Sequence, residues 1–243
     1  MARAREIDLM TYEVPESHSG QSRYGGRGYG DYRLKLTAAP DGMRYKVRFL
    51  GNFFMYDQHF NRIDGETTEF GDERQGISRR CTGENCPWCR LGYEMKPRWI
   101  VNVAHLGEEH ADEDGDPQIM FIELPISGMK AVMTWAKENR EDFPKGPGDM
   151  EGEAPDFVII VTGSPGYGGS GITKYEITQV GRPKTITDGI KRGISKINQD
   201  GGNELHDLNE LCRPHHMPEE LQIKKFGEVI DPVPTNELDE LDV

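Results

Sequence analysis

Arg44-Tyr45-Lys46-Val47-Arg48-Phe49-Leu50 alternates cationic and apolar residues with a period of two, the repeat of an extended strand whose successive side chains point to opposite faces. Tyr45, Val47 and Phe49 are expected on the core side. Arg44, Lys46 and Arg48 are expected on the outer side, as a row of positive charge along which a phosphate backbone can run. Solvated cations on an amphipathic strand are the plainer reading of the same pattern. Gly51-Asn52 reads as a turn, and residues 53–60 as a second strand with aromatics on both faces.

Working outward, residues 96–106, 118–124, 156–163 and 172–178 carry further strand patterns. The helical pattern begins at Pro125, with Ser127 as its cap and Ile126, Met129, Val132, Met133 and Ala136 as a core stripe. Residues 164–171 form a glycine-rich hairpin tip carrying Tyr167, without the Gly-Lys-[Ser/Thr] ending of a nucleotide loop. Residues 108–116 are an acidic loop, read as a solvated connection, without the full ligand pattern of a calcium-binding EF-hand. Five or six strands with one helix between the third and fourth, and no βαβ alternation, predict a mainly β chain with minor α. The expected architecture is an OB-fold-like five-stranded barrel. Short helices follow at 191–198, 204–211 and 219–226. The expected division is a flexible Arg/Gly/Tyr-containing arm (1–32), a core (33–181) with a metal insertion at about 59–95, a helical extension (182–227) and a flexible acidic tail (228–243).

The insertion contains Arg80-Cys81-Thr82-Gly83-Glu84-Asn85-Cys86-Pro87-Trp88-Cys89-Arg90, three of the chain's four cysteines. Cys86-Pro87-Trp88-Cys89 lets two thiolates from one turn reach a tetrahedral zinc ion at Zn–S ~2.3 Å, and Cys81 supplies a third. A thioredoxin-like redox pair would need no third cysteine. A closed structural site needs one more ligand, for which His59, His105, Cys212 and the pair His215 and His216 are available.

The chain has 243 residues, 35% of them hydrophobic, and a net charge of −13. That charge is uneven. Residues 23–102 carry 14 Lys/Arg against 10 Asp/Glu, whereas residues 201–243 carry 3 against 11. Such asymmetry is read either as a hint of a polyanionic partner or as a solvated surface of uneven charge. No stretch approaches the ~20 apolar residues of a membrane span, and the start leads into no signal-peptide core. No membrane association and a cytoplasmic location are therefore expected, as the reduced thiols of a metal site also require. There is no His-Glu-x-x-His, and a cysteine-rich ligand set suits a closed site rather than a hydrolytic one, so an enzyme is not expected.

The basic strand, His59, the three cysteines with Cys-Pro-Trp-Cys, the strand order and the acidic end together resemble the single-stranded DNA-binding proteins of T-even-type bacteriophages, over roughly residues 33–181. The resemblance implies an OB-fold core and one structural zinc ion held by His59, Cys81, Cys86 and Cys89. It also implies sequence-independent coating of single-stranded DNA in phage replication, recombination and repair, in the cytoplasm of the host cell. Single-strand binding needs cations for the backbone and aromatic faces for the bases. The candidate cations are Arg44, Lys46, Arg48, Arg79, Arg80, Arg90, Lys96 and Arg98, and the candidate stackers are Phe54, Tyr56, Trp88 and Trp99. The acidic tail is the expected docking peptide for phage replication and recombination proteins. The competing reading is a zinc-knuckle adaptor that meets replication or transcription proteins through that tail.

Overall fold

A long strand with a bend in it organises the sheet. In the computed structural model, which describes residues 5–9, 32–60, 78–107, 111–163, 173–198 and 204–233, the alternating stretch lies inside a single 18-residue strand, β2 (Met43–Phe60). The expected turn at Gly51-Asn52 is absent. Gly51 takes a left-handed φ of 70° and its N–H donates 2.9 Å to the carbonyl of Gly148, so the chain bends there and continues as strand. Glycine adopts this conformation without steric cost.

Three more long strands and one shorter one complete the main path: β4 (Met95–His105), β5 (Gln118–Leu124), β6 (Ala154–Thr162) and β7 (Lys174–Lys184). Their order is β5-β4-β2-β6-β7, with two short strands, β1 (Arg5–Ile7) and β3 (Ser78–Arg80), added to β2. The result is a seven-stranded, mainly β fold. It is not closed into the expected barrel: among the described residues β5 and β7 do not pair with each other. Instead helix α2 (Ile126–Glu138) packs against both terminal strands. A Cβ placed on Gly128 would lie 3.1 Å from Leu124 and 3.4 Å from Tyr175, so the missing side chain lets the helix sit close to both edges. The methionine stripe is core, with Met129, Val132, Met133 and Ala136 buried. Pro125, not Ser127, is the N-cap.

The alternation is only partly as expected. Tyr45, Val47 and Phe49 are buried, and Arg44 and Lys46 are exposed, but Arg48 is fully buried. Its Nε donates 2.9 Å to Asp156 Oδ1 and a terminal nitrogen donates 3.0 Å to the carbonyl of Lys184. Leu50, on the same side of the strand, is also buried. The outer face is thus solvated at one end of β2 and covered at the other.

The first residues are not wholly unstructured either, since β1 pairs with Phe53–Met55 of β2 and Ile7 and Leu9 join the main core. The rest of the Arg/Gly/Tyr arm, residues 10–31, lies outside the described residues, as do 61–77, the hairpin tip with Tyr167 and the tail beyond 233.

The remaining helices are α1 (Pro87–Arg90), α3 (Asp188–Ile197), α4 (Leu208–Leu211) and α5 (Glu219–Phe226). Thr187 caps α3, accepting from the N–H of Ile190. Ile190 and Ile194 of α3 pack on Leu50, Ala104 and Ile119 in a second, smaller core. The acidic loop is not merely solvated: Lys196 Nζ lies 2.6, 2.7 and 2.9 Å from carboxylate oxygens of Asp112, Asp114 and Asp116, and Arg192 donates to both oxygens of Asp116. These contacts anchor α3. Among the described residues no helix is long and apolar enough to cross a membrane.

The chain forms two compact units. One comprises Arg5–Met55 and Arg98–Leu208; the other joins Tyr56–Pro97 to the chain from Asn209 onward. The helical extension is therefore shared out, with α3 in the larger unit and α5 in the smaller.

Candidate metal centre

The smaller unit is built around the cysteine stretch. The last residues of β2 pair with β3, placing His59 opposite Arg79, and the N–H of Cys81 donates 2.9 Å to the carbonyl of Asp57. Gly83, at φ 107°, turns the chain so that the N–H of Cys86 donates to its carbonyl. Pro87 opens α1 at a position where a missing N–H costs nothing. The helix turn brings Cys89 back beneath Cys86, and Gly92, at φ 78°, ends the turn with its N–H on the carbonyl of Cys89.

These turns gather four donor atoms. His59 Nε2 is 3.4 Å from the sulfur of Cys86 and 3.4 Å from that of Cys89, Cys81 and Cys89 sulfurs are 3.7 Å apart, and all four donors lie within 4.8 Å of one another. Tetrahedral coordination with Zn–S ~2.3 Å and Zn–N ~2.0–2.1 Å puts sulfurs ~3.8 Å apart and nitrogen ~3.6 Å from sulfur. The donor set has the dimensions of a closed tetrahedral metal site.

Two further features agree with that fit. His59 Nδ1 lies 3.2 Å from the carbonyl oxygen of Tyr93. A carbonyl can only accept, so this contact places the ring proton on Nδ1 and leaves Nε2 as a lone-pair donor toward the thiols. The thiols also interfere with one another. Hydrogen bonding to Cys81 and to His59 pulls Cys86 toward the thiolate, whereas Cys81 is pushed up by its bond to Cys86 and by burial, and Cys89 by burial and the Cys86 charge. A cation among them is what would let all three ionise together.

The alternative fourth ligands are engaged elsewhere. His215 Nδ1 accepts from the N–H of Arg80, His216 Nδ1 faces Asp231 at 3.3 Å, and Cys212 and His105 lie outside the cluster. The other acidic grouping, Asp112, Asp114 and Asp116, already surrounds the Lys196 ammonium.

The expected nucleic-acid contacts separate into two groups. Arg44, Lys46 and Arg90 are exposed, and Phe54, Arg79 and Lys96 are half-buried. Arg48, Tyr56, Arg80, Trp88, Arg98 and Trp99 are buried and are not surface contacts. Each has a structural reason. Trp99 lies in the main core, and burial lowers Arg98 to about 10 beside Tyr175. Trp88 packs with Cys81, Cys86, Met217 and Leu221, its indole N–H donating 3.4 Å to the carbonyl of His215. Arg80 stacks 5.5 Å over the Tyr56 ring and donates to the carbonyl of Arg213, with desolvation lowering it to about 10. Arg79 lies 5.8 Å over Trp88, and Arg90 lies 5.1 Å over Phe226 and 3.3 Å from Glu228. Lys96 pairs with Glu94. The arginines beside the cysteines therefore lean on their own unit's rings.

Sequence reasoning did not single out Gln222, which is fully buried. Its amide donates to the carbonyls of Met217 and Asp231 and accepts from the N–H groups of Ile230 and Asp231. The expected free tail is therefore fixed at its start. The only sequence signal was an amide on the buried side of α5.

No family model matches the chain, and no curated protein matches it.

Proposed function

We propose that this chain is a sequence-independent single-stranded DNA-binding protein, of the kind that coats and protects DNA during phage replication, recombination and repair. The observation that carries the reading is the exposed pair Arg44 and Lys46 on a strand whose alternate residues are core, in a chain of net charge −13. Cations at successive outward positions of a strand suit a phosphate backbone. The strand order supports the reading. Numbering the five long strands in chain order gives 3-2-1-4-5 with a helix between the third and fourth, an order we take as that of a partly open OB fold with α2 at its seam.

The ion we assign to the His59, Cys81, Cys86 and Cys89 cluster is zinc, in a closed structural role. Three thiolates and an imidazole are the donor set of structural zinc sites, and no ligand position is left for water. When bound, zinc supplies cross-linking rather than chemistry. The chain's own residues orient the cluster: Tyr93 fixes the His59 tautomer, Gly83 and Gly92 make the turns, and Trp88 excludes water. The acidic tail is the docking peptide for replication and recombination proteins, and the location is the host cytoplasm.

Titration of fluorescent oligo(dT) with zinc-assayed protein at two salt concentrations tests this. Binding that weakens steeply with salt and far exceeds binding to duplex is expected. Duplex bound as tightly as single strand overturns it.

A further inference from the structure

We infer that a bound single strand crosses the outer face of β2, β6 and β7, and not the face of β4 and β5. This rests on the single-strand-binding reading above, and assigns the path that the strand takes over the larger unit.

Among the described residues, the outer side of the sheet is covered over one half and open over the other. Over β4 and β5 the cover is the chain itself. Ile190 and Ile194 pack on Ala104 and Ile119, and a Cβ on Gly193 would come within 2.5 Å of the Pro117 carbonyl, so α3 lies directly on the backbone. Asn102 donates 3.1 Å to the carbonyl of His206, whose ring nitrogen is 3.0 Å from the carbonyl of Ile119. The Tyr32 ring lies 4.9 Å from that imidazole. Any polyanion on this half has to displace a helix and a hydrogen-bonded segment.

Among the described residues, the other half carries no such cover. Register places Arg44 opposite Ile160 and Ile160 opposite Glu176, Lys46 opposite Val158 and Val158 opposite Thr178, and Thr162 opposite Lys174. Arg44, Lys46, Lys174, Glu176 and Thr178 are exposed and Val158 and Ile160 are half-exposed, while the alternating Tyr45, Val47, Phe157, Ile159 and Val161 are core. Among the described residues three cations face a single carboxylate on this surface, against the acidic balance of the whole chain. Lys174 stands two strands, roughly 10 Å, from β2, so the cations flank an apolar centre rather than forming one line. That layout fits a backbone held at its phosphates with sugars and bases over Val158 and Ile160. Among the described residues no aromatic ring stands on this patch, so their contribution is electrostatic and insensitive to sequence.

The test uses the full chain with labelled oligo(dT) over a salt series, comparing wild type with Lys174→Ala, Glu176→Lys and Lys191→Ala, the last on the exposed side of α3. Lys174→Ala should weaken binding and flatten the slope of log K against log salt by about 0.7, the contribution of one single-strand phosphate contact. Glu176→Lys should tighten binding and steepen the slope, and Lys191→Ala should leave it unchanged. A wild type that binds while Lys174→Ala and Glu176→Lys leave the slope unchanged overturns the path alone. So does a Lys191→Ala effect as large as that of Lys174→Ala. Variants that alter binding of poly-glutamate but not of oligo(dT) make this a peptide-docking face and overturn it too. A wild type that fails to bind oligo(dT) removes the underlying reading and the path with it.

Discussion

The ring of His59 is held by the main-chain oxygen of Tyr93, 3.2 Å from Nδ1, and that contact turns Nε2 toward the cysteine sulfurs. His59→Ala removes the fourth donor without disturbing the turns that gather the other three. Metal affinity in a chelator competition should fall by more than the about 10–100-fold typical of losing a second-shell partner, and His59→Cys should restore much of it. Wild-type affinity in His59→Ala would take the histidine out of the ligand set.

Chelation with the metal stripped should unfold the smaller unit selectively. Trp88 packs against Cys81 and Cys86, whereas Trp99 and Trp135 belong to the main core. Quenching by iodide should rise for one of the three tryptophans and be reversed by added zinc. Trp88→Phe should abolish that increment.

Asp156→Ala should be among the most damaging single changes in the larger unit. Its carboxylate meets Arg48 and Lys184, and Arg48 has no access to solvent. Removing one partner of a buried pair costs about 3–5 kcal/mol, whereas replacing both with apolar residues is often neutral. Denaturant melts of Asp156→Ala and of Arg48→Met/Asp156→Leu separate the two cases. Equal losses would argue that packing, not the unpaired charge, sets the cost.

Acid should loosen α3. Hydrogen bonds from Arg192, and then from Lys196, hold the Asp116 carboxyl down at about 2, below its unfolded value of ~3.9. A depressed folded value means the stabilisation is complete above the unfolded pKa and is lost as pH falls from about 4 through about 2. Amide exchange in α3, followed across that range, should rise in this window. Lys196→Ala should raise exchange already at neutral pH and make the further rise on acidification smaller.

Gln222→Ala should free the start of the acidic tail. Four main-chain groups lose their partner at once, each left unsatisfied at about 1–3 kcal/mol if it stays buried. Limited proteolysis should cut near Ile230 in the variant and not in the wild type. Gln222→Glu retains an acceptor for Ile230 and Asp231 and should be intermediate.

What could be read from the chain was set by local patterns. The period of two through Tyr45, Val47 and Phe49, the spacing of Cys86 and Cys89, and the stripe of α2 are each decided within a few residues, and each is where the pattern put it. Arg48 was misjudged because its burial depends on Asp156, 108 positions away. Leu50, with the same parity, already hinted that the outer face closes over at that point. Arg80 is buried for a similar reason, since the Tyr56 ring that receives it is no neighbour in sequence, whereas Arg90 rests over Phe226 and stays exposed. The open seam between β5 and β7 could not be foreseen from strand patterns alone, because α2 packs against both edge strands, with Gly128 close to Leu124 and Tyr175.

Trp88 and His215 are 127 residues apart in sequence yet share a hydrogen bond. At synthesis rates of about 5–20 residues per second, the segment that caps the cysteine cluster leaves the ribosome on the order of ten seconds after the cluster itself. During that interval the thiols have emerged while their lid has not.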